Sequence, residues 1–113
     1  MEFDIKKLVV DTLSPLGVPV SFATRKENSF PFIIFSITSE RGLYYEEDEE
    51  SVTKYGITVT IFSKGNYENI KNNVIRAMKE NGFIRVNVPG VFYMEDIEVF
   101  SQPIEFSYFH YNK

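Results

Sequence analysis

The 113-residue sequence contains no cysteine, no tryptophan and a single histidine. Without cysteine there is no disulfide, no thiolate metal site and no cysteine nucleophile, and a reducing compartment is compatible with the chain. No stretch approaches the ~20 apolar residues of a membrane span, and "MEFDIKKLVV" lacks the basic, apolar, small order of a signal peptide. These features lead us to expect a soluble, cytoplasmic protein with no membrane partner. Positive charge is scarce too: 12 Lys and Arg against 16 Asp and Glu leave a formal net charge of -4. Proteins that clamp nucleic acid neutralise several phosphates with cations, so a clamped nucleic-acid ligand is not expected.

What is present is an ordinary folding composition, 43% hydrophobic and rich in Phe and Tyr. The length suits one domain over residues 1–113, able to bury roughly two thirds of its unfolded surface. "FDIKKLVVDTLSPLG" puts Ile5, Leu8, Val9, Thr12, Leu13 and Leu16 on one helical stripe, with Asp4 as cap and Pro15 and Gly17 as stops. In "VPVSFA" the alternation of Val18, Val20 and Phe22 predicts a short strand, its proline suiting a sheet edge or a strand start. "FPFIIFSIT" is apolar on both sides and predicts a central or doubly covered strand. The clearest strand is "TKYGITVTIF", with Tyr55, Ile57, Val59 and Ile61 on one face and Lys54, Thr58 and Thr60 on the other. Gly56 inside it marks a bulge, a close backbone approach or a weak spot.

Tyr67, Ile70, Val74, Ala77 and Met78 recur at helical spacing between Asn66, a cap, and Gly82, a left-handed stop. "FIRVNV" predicts a short strand, "PGVFYMEDIEVFSQ" an irregular stretch and "PIEFSYFHY" a closing alternating strand. The order predicts an α+β fold, a mainly antiparallel sheet with helices packed on one face.

Chemistry finds little footing. His110 lies near the end of an alternating strand with no partner motif, so a structural role is the simpler reading. Five consecutive carboxylates, Glu46, Glu47, Asp48, Glu49 and Glu50, follow Tyr44 and Tyr45. Neighbouring acids diverge into water, whereas a metal site or a hydrolytic pair needs side chains converging from separated positions. "EEDEESVTKYGI" also lacks the spaced ligands and central glycine of an EF-hand, and no glycine stretch matches a phosphate loop. Neither an enzyme, a cofactor nor a metal is expected. The run reads as a connection projecting between a strand ending near Thr38 and one starting near Val52, bracketed by Arg41 and Lys54. Tyr44 and Tyr45 either anchor a partner or pack at a strand end. A small acidic protein-binding module, DNA-mimic-like in its charge, is one function such a loop allows.

The succession of an N-terminal helix, "VPVSF", "FPFIIFSI", an acidic loop, "YGITVTIFSKGNYENIKNNVIRAMKENGF" and "YMEDIEVFSQPIEFSYF" resembles the tail terminator, or tail completion, proteins of long-tailed bacteriophages and prophages. The likeness runs over nearly the whole chain. It lies in the Val59 to Phe62 strand end, the turn Ser63 to Asn66, a helix closing on Gly82-Phe83 and the Tyr93 to Asp96 segment. "IEVFSQP" stands where members often carry a Thr/Gly turn and a histidine. The resemblance implies a non-enzymatic virion assembly protein, made in the host cytoplasm and incorporated in the tail. As such it would form a ring, usually a hexamer, that caps the head-proximal end of the tail tube and offers a surface to the head-tail connector protein. A head-tail connector stopper is a neighbouring reading. The segment from Tyr44 to Glu50 then faces either a partner or a lumen that DNA crosses without specific binding, its carboxylates repelling phosphates.

Overall fold

The computed structural model describes residues 3–24, 29–46 and 49–112, with the side chains of 44–46 and 49–50 also outside the description. Helix α1 (Ile5–Leu13) starts where the Asp4 carboxylate accepts from the Lys7 N–H at 3.1 Å. It tightens into one 3₁₀ turn over Ser14–Leu16, carrying Pro15, and stops at left-handed Gly17. Strand β1 (Val20–Phe22) follows Pro19 and lies parallel to β2 (Phe32–Glu46) at the sheet edge. β2 turns back into β3 (Glu49–Ser63), and helix α2 (Tyr67–Glu80) is capped by Asn66, whose side chain accepts from the Asn69 N–H. β4 (Ile84–Asn87), β5 (Phe92–Met94) and β6 (Val99–Tyr111) complete the chain.

The sheet order is β1-β2-β3-β6-β4, with β5 also along β6, and every pairing except β1–β2 is antiparallel. The expected α+β fold is therefore present. α2 closes with Phe83 N–H donating to Met78 C=O and Gly82 N–H to Lys79 C=O, which satisfies two carbonyls the helix leaves open. Gly82 adopts φ +93, the left-handed region this ending requires.

Both helices cover one face of the sheet. Tyr55, Ile57, Val59 and Ile61 all point into that layer, with at most 9% of their surface exposed. Register explains the packing: Val59 lies opposite Phe35 on one side and Ile104 on the other, and Ile57 opposite Ile37 and Phe106. Val9 and Leu13 of α1 and Val74 and Met78 of α2 are buried against them, joined by half-buried Ile70. Among the described residues the opposite face has no helix, and it carries Lys54, Thr58 and Thr60; at one end of it Phe32 is buried between Phe30 and Phe62, the Phe32–Phe62 rings stacking at 4.9 Å.

Two stretches depart from the expected pattern. The segment 92–101 is more regular than expected, for β5 and the first residues of β6 pair from Phe92↔Ser101 to Met94↔Val99 around a turn in which Glu98 has φ +54. Gln102, buried in β6, donates to the Pro89 and Pro103 carbonyls and fastens the preceding chain, a long-range bond that local periodicity does not record. The second departure is the acidic connection.

Candidate functional site

Where a loop is expected between Thr38 and Val52, the described residues instead form an antiparallel two-stranded ribbon. β2 runs on to Glu46 and β3 begins at Glu49, with Tyr44 opposite Val52, Tyr45 opposite Glu50 and Glu46 opposite Glu49. Glu47 and Asp48 lie outside the described residues. Charge repulsion is too weak to prevent strand pairing here. Like charges at opposed strand positions cost a few tenths of a kcal/mol, up to about 1, whereas each added ladder hydrogen bond contributes about 0.5–1.5 kcal/mol. Tyrosine and threonine near the root also favour extended backbone.

This ribbon is an arm. β6 supports β3 only as far as Val52, opposite Tyr111, and the Asn112 N–H still reaches the Ser51 carbonyl at 3.0 Å. Beyond Ser51 only the pairing of β2 with β3 is left among the described residues. The molecule is accordingly long, 54 × 26 × 23 Å, with a radius of gyration of 15.3 Å. A compact chain of this length is expected near ~13 Å.

Three irregularities shape the arm: the β2–β3 register shifts between Ile37 and Ser39, between Gly42 and Tyr44, and between Tyr44 and Tyr45. Each extra residue adds local twist and re-aims the strand. Gly56 sits opposite the first, and a Cβ there would meet the Ser39 hydroxyl at 2.6 Å and the Thr38 hydroxyl at 2.8 Å. Of the three alternatives raised for this glycine the bulge is present, in β2 opposite Gly56, whereas the close neighbours are side-chain hydroxyls and the nearest backbone atom, the Ser39 nitrogen, would be 3.6 Å from such a Cβ.

At the root, an aromatic stack ties the N-terminus to β6. Phe3 lies on His110 with ring centroids 4.0 Å apart and planes at 8°, and contacts Tyr108 and Tyr55 at 5.6 and 5.8 Å. His110 is thus packed into the end of the helix-covered layer. Lys7, held above the usual amine value by its hydrogen bond and charge contact with Asp11, belongs to a solvated pair on α1 2.8 Å apart. Among the described residues no group of three or more His, Asp or Glu converges in a way that could hold a metal. Glu95, Asp96 and Glu98 ring the exposed β5–β6 turn beside an open cleft of about 660 Å³.

Periodicity gave no sign of one further surface. Ile84, Val86, Phe92 and Tyr93, on β4 and β5 along the outer edge of β6, are 52%, 59%, 66% and 44% exposed. Apolar strand residues normally signal burial, so their exposure is visible only in the fold.

The architecture is a two-layer α+β domain with an elongated arm and, among the described residues, an open-faced sheet with two free edges. No protein-family model matches the sequence, and no curated protein matches it. Among solved structures it is similar to the gp17 protein of bacteriophage SPP1, with a TM-score of 0.56 and 15% sequence identity over 96% of this chain and 89% of that one. At this identity the likeness is one of fold, shared with a phage protein.

Proposed function

We propose that this chain is a structural protein of a phage or prophage tail, which closes the head-proximal end of the tail tube as an oligomeric ring, a hexamer in the assembled tail, and allows head joining. The observation that carries the reading is the fold shared with the SPP1 protein over nearly the full length of both chains. Fold by itself hosts many functions. The arm adds support, because a two-stranded ribbon standing alone is marginally stable in water and gains from a surface to lie against. The tail tube protein, the head-tail connector protein and further copies of this chain are the partners we assign, with DNA passing through unbound. Assembly takes place in the host cytoplasm and the product stays in the virion tail.

The arm's acids act in this assembly by repelling phosphates from a lumen or by meeting basic groups on a partner. The test has two parts. Particles made without this protein should carry tails of uncontrolled length; tails of normal length that fail to join heads would instead identify a connector stopper, and normal particles would refute both. Neutralising the arm, with Glu46, Glu47, Glu49 and Glu50 changed to Gln and Asp48 to Asn, should leave thermal unfolding nearly unchanged, each charge contributing no more than about 0.5 kcal/mol. Head joining or DNA ejection should suffer, the gap from wild type widening at low salt. Normal particles from the neutralised variant would remove the arm's charge from the mechanism.

A further inference from the structure

At the level of the β2 bulge the sheet is four strands wide, and among the described residues neither of its edges has a further strand. The register sets Ile84 of β4 in line with Ser107, Gly56 and Ser39, and Arg85 in line with Phe106, Ile57 and Ile37. Among the described residues β4 pairs only with β6, and β2 has no outer partner beyond Phe35. The Ile33 N–H donates to Pro19 and the Phe35 C=O accepts from Ala23, so alternate residues of β2 turn their backbone groups to this side, and Ile37 is the next.

Free edges of this kind pair with other chains unless something prevents it. β4 is poorly defended, since its Ile84 and Val86 are more than half exposed. On the helix-covered side the two edges carry charges of opposite sign, while Arg41, next to Glu40, lies on the uncovered face opposite Lys54. Glu40, opposite Tyr55 on β3, and Arg85, opposite Phe106, both lie on the helix-covered side and both are exposed. The neighbouring helix α2, which contacts β4, is mixed in charge there, with Arg76, Lys79 and Glu80 all exposed, so the contrast rests on Arg85.

We infer that β4 of one copy pairs with β2 of the next copy, over Ser36 to Gly42, in a head-to-tail continuation of the sheet. Strand directions agree: β4 runs with β3, so the next copy's β2 meets it antiparallel, as β2 meets β3 within one chain. Pairing two β4 edges across a twofold axis would bring Arg85 close to its own copy, and pairing two β2 edges would do the same for Glu40; like charges at opposed positions are destabilising. Only the heterologous contact sets Glu40 against Arg85, and a heterologous contact generates a ring when its rotation closes. The inference deepens the ring reading and rests on it, naming the two surfaces by which copies join.

The absence of cysteine makes the test clean. Within one chain Glu40 and Arg85 are separated by three strand spacings, about 14 Å, too far for a disulfide. Thr38→Cys, Ser39→Cys and Glu40→Cys would each be mixed with Arg85→Cys at millimolar concentration, oxidised, and examined by denaturing gel and mass spectrometry. Covalent dimers should form in a mixture and not in either protein alone. Dimers from Arg85→Cys alone would overturn the proposal in favour of a twofold contact. A protein that sediments as an oligomer yet gives no link in any mixture would overturn the edge assignment while leaving the ring intact. A wild type that stays monomeric at this concentration and yields no link in any mixture would overturn the edge pairing, while tail length in particles lacking the protein decides the ring separately. As a charge test, Glu40→Lys or Arg85→Glu should weaken self-association by about 2- to 5-fold, and the double swap should restore it. Failure of the swap to recover what the single changes lose would contradict the pairing of these two residues.

Discussion

Replacing Val59 with Asp tests the central claim of the fold, that odd positions of β3 from Tyr55 to Ile61 carry the core. Val59 is fully buried between Phe35 and Ile104, themselves fully buried, beneath Val74 and Met78. Loss of the apolar side chain costs about 1.5–3 kcal/mol. Near pH 7 the new carboxyl must either ionise in an apolar layer or stay protonated, and holding a group of ordinary pKa ~3.9 neutral at pH 7 costs about 4 kcal/mol. The neutral carboxyl, without a partner, adds about 1–3 kcal/mol. The sum, about 7–10 kcal/mol, rivals the whole stability of a domain this size, about 6–17 kcal/mol. Thr60→Asp, on the uncovered face of the same strand, should cost about 1 kcal/mol. The sign of the pH dependence follows from linkage. Burial raises the folded-state pKa of the introduced acid above its unfolded value, so the ionisation penalty is absent below about pH 4. It then grows by about 1.4 kcal/mol per pH unit until the folded pKa is reached. Guanidinium denaturation of wild type and both variants between pH 4 and 7 measures this directly. Where Val59→Asp is too unstable to record, Val59→Thr replaces it, with an unpartnered hydroxyl costing about 1–3 kcal/mol. Equal costs at positions 59 and 60, a pH-independent loss for Val59→Asp, or no loss for Val59→Thr would refute the register.

Two other substitutions probe smaller features. His110→Gln removes the stacked ring on Phe3 and should lower stability by no more than about 1.5 kcal/mol while leaving assembly intact; a fully folded variant that cannot assemble would show that His110 has a functional role. Gly82→Ala forces a Cβ into the left-handed region 3.4 Å from the Tyr108 ring and should cost about 1–2 kcal/mol by thermal unfolding, an unchanged melting point being the contrary result.

Local rules made the body of the fold readable. Asp4 and Asn66 cap the helices as their chemistry dictates, Gly17 and Gly82 take the left-handed conformations that end them, and the alternation in β3 survives as burial of 9% or less at four positions. What local rules cannot show is which strands have neighbours. "FIRVNV" alternates like a half-buried strand, yet Ile84 and Val86 stand exposed because no further strand or helix of the described chain covers β4. The start of β6 was likewise hidden: Val99 to Gln102 contribute to a strand through pairing with β3 and β5, each more than thirty or fewer than ten residues away.

The acidic arm shows the same limit from the other direction. Five carboxylates are poor strand formers alone, and in isolation they would favour a solvated loop. Here β3 is already fixed along much of its length by β6, to which Asn112 adds bonds to the Ser51 carbonyl and the Thr53 hydroxyl, both at 3.0 Å. A strand held at its root extends one residue at a time, each step adding backbone bonds against a repulsion of a few tenths of a kcal/mol, up to about 1. The balance is narrow at the tip, where β6 gives no support. A narrow balance makes the tip responsive to its surroundings: nearby cations would favour its ladder, and nearby phosphates would not. In the assembly proposed above, charge at this position would therefore bear on what the arm accepts as a neighbour more than on whether the domain folds.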